Sequence, residues 1–183
     1  LGLTVLFLAR TNALLFFINR LNNKTLEERS YKYLFYNAIP FVVFFLTFVI
    51  WTLIDKGYAV DPETGVVSLV QYKYFFNLIE MPVLLILFLL GVVAVLAGII
   101  GSMFSKSFRK GIWLSGAGTV ITVCTLLLVA GYNNTAYYPS STDLQSSLTI
   151  FNSSSSEFTL TVMSYVSILI PFVLAYIFYA WRT

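Results

Sequence analysis

Two charges stand in otherwise apolar runs, and they are the side chains with the means to do chemistry in a membrane. Arg10 interrupts the run 1–18, and Glu80 lies at the start of the run 78–101. An ionisable group at membrane depth belongs to an ion or proton path, or to a pair with another charge, because hydrocarbon leaves it without solvent. Glu80 reads as a proton-relay carboxylate or, more plainly, as an acid in a first helical turn, held by the positive end of the helix dipole. Arg10, about two turns inside Asn19, either snorkels to the surface or faces the bundle and pairs; the inward, paired arrangement is the expectation. A third constellation is structural. Ser154 stands three residues before Glu157, the spacing of a capping box, in which serine and glutamate each satisfy a helix-terminal amide.

Other chemistry is thinly represented. The chain has no histidine, which removes the commonest haem and metal ligand and the usual proton shuttle. Met81, Met103 and Met163 are potential iron ligands, but no histidine or haem motif accompanies them. The single cysteine, Cys124, sits in an apolar run and has no intrachain disulfide partner. No Walker or Rossmann glycine pattern occurs. No catalytic, cofactor-binding or metal-binding residue is therefore assigned. Asn23, Asn133 and Asn152 begin glycosylation triplets of a kind that chance often supplies.

The elements that must hold these residues follow from composition. Hydrophobic residues make up 58% and charged residues 10% of the chain, with a mean hydropathy of +0.84; a soluble domain carries about a quarter charged residues. The apolar runs approach the roughly 20 residues that span a bilayer. The expected fold is an all-α polytopic transmembrane helical bundle, a single membrane domain with about five segments near 1–18, 38–54, 78–101, 111–130 and 158–181. Residues 19–37 read as a charged connection, Pro40 as a first-turn proline, Asp61–Gly65 as a turn, and Pro171 as a kink in the last segment. Ala94 with Gly98, Ala97 with Gly101, and Gly111 with Ser115 and Thr119 are small residues four apart, the pattern that lets helices approach closely in lipid.

Basic residues concentrate in 19–37, in 102–110 (Lys106, Arg109, Lys110) and at Arg182, whereas 131–157 has none. The positive-inside rule then places 19–37, 102–110 and the C-terminus in the cytoplasm, with 55–77 and 131–157 outside. Arg10 falls toward the inner half and Glu80 near the outer surface, so they are not expected to pair with each other. The net charge of +3 sits in short loops between spans and is not a nucleic-acid signature.

Several words carry a resemblance. Tyr138-Pro139-Ser140-Ser141, then Ser147-Leu148-Thr149-Ile150, then a serine-rich turn and Thr159-Leu160-Thr161-Val162-Met163, resemble the C-terminal region of subunit II of cytochrome bd-type quinol oxidases. Glu157 occupies a position where that family often has Gln, which serves equally in a capping box. Ile54-Asp55-Lys56-Gly57-Tyr58-Ala59-Val60 is similar to a family word of the Ile-Asp-Gly-Tyr-Val type with one residue inserted. Thr11-Asn12-Ala13 is similar to a Thr-Gln-Gly-Ala word, and Arg10 before it is a departure. The resemblance implies a bacterial inner-membrane complex that oxidises a membrane quinol, reduces oxygen to water and contributes to a proton gradient. It further implies that haems b and d and the quinol site belong to a partner, subunit I, while this chain contributes helix packing against that partner and membrane lipid. Leu1-Gly2-Leu3-Thr4-Val5 reads like the middle of a span, so the chain is expected to be the C-terminal half of a longer subunit. The alternatives are a fragment of a transporter or channel, which would show converging mid-membrane polar residues or matched broken helices, and a small membrane adaptor. A haem-rich companion on purification separates the first reading from these two.

Overall fold

The computed structural model describes residues 1–105 and 107–182. In chain order the elements are α1 (Gly2–Arg20), α2 (Lys24–Ile54), β1 (Lys56–Val60), β2 (Val67–Gln71), α3 (Lys73–Glu80), α4 (Pro82–Phe104), α5 (Gly111–Gly131), a 3-10 turn (Leu144–Ser146), α6 (Ile150–Ser153) and α7 (Glu157–Arg182). Among the described residues, α1, α2, α4, α5 and α7 are long and apolar enough to cross a membrane. The fold is an all-α, multi-pass membrane bundle. Lys106, one of the basic residues assigned to the inner connection, lies outside the described residues, as does Thr183.

Three local expectations change. First, most of the charged stretch 19–37 is helical, because Asn23 caps α2: its side-chain oxygen accepts from the N–H groups of Thr25 and Leu26 at 3.0 and 3.3 Å. Glu27 adds a first-turn acid, so charge that looked like a loop extends the helix beyond its apolar run. Pro40 consequently lies inside α2 rather than in a first turn, where it cannot donate to the carbonyl of Tyr36. Second, the run 78–101 is divided at Met81, between α3 and α4. Pro82 occupies the first turn of α4, and Met81 before it adopts φ −112°, ψ 76°, as expected of a residue barred from the helical region by a following proline. Third, 56–71 forms a two-stranded antiparallel hairpin with Tyr58 opposite Leu69 and Val60 opposite Val67. Its turn closes through the Gly65 N–H on the Asp61 carbonyl at 2.8 Å, with Gly65 at φ +71°.

The bundle proper has four helices. Leu15 and Ile18 of α1, Leu34, Ala38 and Phe41 of α2, and Val95 and Ile99 of α4 form its main core. A second cluster of Leu78, Phe88 and Val129 lies under α3. α4 and α5 approach so closely that Gly91, Gly98, Gly111 and Gly118 leave no room for a side chain of their own. A Cβ on Gly98 would stand 2.6 Å from the Gly111 carbonyl oxygen, and one on Gly118 2.6 Å from that of Gly91. Of the anticipated small-residue pairs, Gly98, Gly111 and Ser115 are buried in this seam, whereas Ala97 is exposed and Gly101 meets the Phe108 ring. The fifth spanning helix stands apart, for α7 buries none of its residues.

Gly118→Leu should lower stability by about 1–3 kcal/mol or more, since the incoming atoms meet backbone that cannot yield. At Gly116 an added Cβ would meet nothing within 4 Å, so alanine there should be tolerated with a gain of roughly 0.5–1 kcal/mol. Thermal unfolding of the two variants in one detergent checks both signs.

Candidate functional site

The two candidate charges lie on different elements, in different surroundings, and are not brought together. Arg10 is exposed on the outer face of α1, with its guanidinium carbon 5.9 Å from the centre of the Phe7 ring. The inward arrangement is thus not adopted. The bundle-facing side of α1 carries Thr4, Thr11, Leu15 and Ile18 instead. Arg10 is three residues past Phe7, the spacing at which helix neighbours meet, so the ring holds the guanidinium against its own helix.

Glu80 is the last residue of α3 rather than a first-turn acid of the spanning helix. Its carboxylate accepts a hydrogen bond from the Asn133 side-chain amide. That contact belongs to a polar node that ties α3 to the end of α5. Asn77, fully buried, donates to the Thr135 hydroxyl at 2.7 Å, to the Val129 carbonyl at 3.0 Å and, more weakly, to the Tyr132 carbonyl at 3.4 Å. It accepts in return from the Asn133 amide at 3.1 Å. The Lys73 ammonium donates to the Asn133 carbonyl at 2.9 Å. Burial draws the Lys73 pKa down, and the Glu80 carboxylate offsets part of that. The chemistry suits the place, because the last carbonyls of α5 have no helical N–H and carry the negative end of its dipole.

Sequence order explains how the node assembles. Asn133 and Asn134 take φ +59° and +54° directly after α5, a left-handed conformation that asparagine tolerates. The chain then turns back onto the hairpin, where Val60 donates to the Asn134 carbonyl at 2.8 Å and Ala136 to that of Tyr58 at 2.9 Å. Gln145 completes the cover by bonding both the N–H and the carbonyl of Val67, at 3.0 and 2.9 Å.

The opposite end has a matching clamp. Arg109 donates to the carbonyls of Ile18 at 3.0 Å and Leu21 at 2.7 Å, closing the C-terminus of α1, while the Asn19 amide donates to the Arg109 carbonyl at 2.9 Å. Glu27 stands 4.0 Å from the same guanidinium. Midway, the Ser115 hydroxyl donates to the Asn12 side-chain oxygen at 2.7 Å. Sequence reasoning missed Asn77 altogether and took Arg109 only as a marker of orientation. The available signal was an asparagine in a short amphipathic segment, together with the Asn133-Asn134 pair just past the apolar run 111–130.

The cap of α7 differs from its expected form. Ser154 donates its hydroxyl to the Ile150 carbonyl, and it is the Ser156 hydroxyl that accepts from the Thr159 N–H at 3.4 Å. A four-residue helix, Ile150–Ser153, ends where the serine run begins, and that helix has the capping box, formed by Thr149 and Asn152. Glu157 remains the acid in the first turn of α7.

Among the described residues no group of three His, Cys, Asp or Glu is placed to hold a metal ion. Met81 and Met103 sit at opposite ends of α4, about 33 Å apart by helix rise, and Met163 lies on α7. An apolar cavity of about 70 Å3 between α1, α2, α4 and α5 is bordered by Leu8, Phe41, Phe45, Val95, Thr122 and Leu126.

The family model described as cytochrome bd terminal oxidase subunit II matches residues 1–183. No curated protein matches the chain.

Asn77→Leu fills the same space but removes the donors that serve Val129 and Thr135, and should cost about 1–3 kcal/mol. Hydrogen exchange should rise in residues 133–136 with no change at the Arg109 end. Arg109→Met should produce the mirror result, with exchange rising at the α1–α2 junction alone.

Proposed function

The chain belongs to the cytochrome bd terminal oxidase subunit II family and is a membrane subunit of a bd-type oxidase; from this premise we propose that it is the scaffold against which a haem-bearing subunit I assembles. It contributes to the oxidase as a non-catalytic subunit. In the proposed arrangement subunit I holds haems b and d and oxidises membrane quinol, and the electrons reduce oxygen to water there. The present chain supplies rigid helical walls and lipid contact. One observation carries the scaffold reading: four helices pack together, α4 and α5 through a seam of glycines and hydroxyls, while α7 buries none of its residues. A membrane-length helix that packs on nothing of its own is fitted to lie against a neighbour or lipid.

The proposed orientation puts the Arg109 clamp and the C-terminus in the cytoplasm, and the Asn77 node with its hairpin on the outer side. Its support is the distribution of Lys and Arg, which favours the end where α1, α2 and α5 meet. Glu80 is proposed as a positioning residue for the outer end of α5, acting through Asn133.

Purification of the complete complex should bring down this chain with a haem-bearing companion and its visible absorbance; a colourless, stable monomer would overturn the assignment. In that complex Glu80→Ala should lower quinol-driven oxygen uptake through poorer assembly. Unchanged uptake together with unchanged assembly would retire the role given to Glu80.

A further inference from the structure

We propose that residues 138–148 form a hinged lid on the two-stranded hairpin, with the side-chain amide of Gln145 as its latch. The lid closes over the free edge of β2 and swings about Tyr138 and Leu148 without disturbing the helices. The contacts that define it all lie within the chain.

In an antiparallel pair, alternate residues turn their N–H and C=O groups away from the partner strand. Val60 opposes Val67 and Tyr58 opposes Leu69. On β1 the Val60 N–H and the Tyr58 carbonyl point outward, where they meet the Asn134 carbonyl and the Ala136 N–H. The equivalent outward groups of β2 therefore belong to Val67 and Leu69. Among the described residues no backbone group bonds Val67 on that side. Gln145 does so instead: its side-chain oxygen accepts from the Val67 N–H at 3.0 Å, and its amide nitrogen donates to the Val67 carbonyl at 2.9 Å. One carboxamide thus supplies what an added strand would, at the kind of open edge that invites such addition.

The segment that carries Gln145 is closed upon itself. Tyr138 and Leu148 exchange backbone hydrogen bonds at 3.3 and 2.9 Å, and this pair is the neck. Beyond it the buried Ser147 accepts from the Ser140 N–H at 3.0 Å. Asp143 accepts from the Gln145 N–H at 3.1 Å and from the Ser146 hydroxyl at 3.2 Å, which holds the 3-10 turn that aims Gln145. Beside the neck, Asn152 donates to the Ser147 carbonyl at 2.9 Å, so the neck is the fixed side and the Gln145 tip the moving one. Among the described residues, the hydrogen bonds that join 138–148 to the hairpin are the two made by Gln145. The apolar cluster of Val60, Val67 and Ala136 with Tyr58 takes no residue from this lobe. The hold on β1 is separate, because residues 134–136 precede the neck. Releasing the latch therefore breaks two hydrogen bonds and leaves that cluster whole.

The test is hydrogen exchange of the complete oxidase in a mild detergent, read at single residues. Gln145 is exposed, so Gln145→Leu takes away both latch bonds and leaves the packing alone. Exchange at the Val67 N–H should rise at least about tenfold, as expected for the loss of two hydrogen bonds. Gln145→Glu keeps an acceptor for that N–H but sets a carboxylate against the Val67 carbonyl, and should raise Val67 exchange as well. In both variants the N–H groups of Val60 and Ala136, held on the other edge, and of Leu148, in the neck, should exchange as in the parent. A rise that spreads equally to Val60, Ala136 or the residues around Asn77 overturns the proposal, because the lid and the rest would then open as one unit. Val67 exchange in Gln145→Leu that matches the parent also overturns it, since Gln145 would then latch nothing.

Discussion

Hydrocarbon offers no hydrogen bonds, so every polar group taken into the membrane must find its partner within the protein. Much of this structure is a set of answers to that demand. Within the helices, hydroxyls turn back to the carbonyl four residues earlier, as Thr47 does to Val43, Thr52 to Phe48, Thr122 to Gly118, Thr125 to Ile121 and Ser167 to Met163. These bonds remove the cost of a serine or threonine in lipid and leave a small, smooth surface. The α4–α5 seam uses that surface, with glycines of one helix set against the backbone of the other. Thr4 and Thr11 are the buried exceptions, their hydroxyls finding no partner among the described residues.

The same constraint governs helix ends, where four carbonyls lack intrahelical donors. α1 and α5 resolve it with side chains brought from far along the chain. Arg109 reaches Ile18 across 91 positions, and Asn77 reaches Val129 across 52. Each clamp also fixes how two helices meet, so satisfaction of the backbone and positioning of the bundle are one event. The Asn77 node adds the hairpin and residues 133–136 to the same network. This gives the bundle a polar lid at that end.

Arg10 and α7 are the two places where these internal answers stop. A guanidinium at mid-helix faces outward beside a phenyl ring, and a 26-residue helix exposes every side chain. Both are costly or purposeless for an isolated chain and both are ordinary in a subunit. Both leave apolar or charged surface that the described residues do not cover.

Composition and apolar run length alone determined that the chain crosses the membrane about five times, because spanning demands some 20 apolar residues whatever surrounds them. The short words from Tyr138 to Met163 and around Asp55 were enough to point to the family. What the sequence left open depended on direction and approach. Charge in 24–37 looked like a loop because local pattern does not weigh an asparagine cap against polarity. Glu80 looked like a first-turn acid because the break at Met81 is set by Pro82, and its partner Asn133 arrives only after α4 and α5 have folded back. Arg10 looked inward because an isolated charge in an apolar run suggests burial, whereas the facing side of α1 is chosen by which residues fit against α2, α4 and α5. Local chemistry decides whether a segment is a helix; only the arrival of the other segments decides what each of its faces touches.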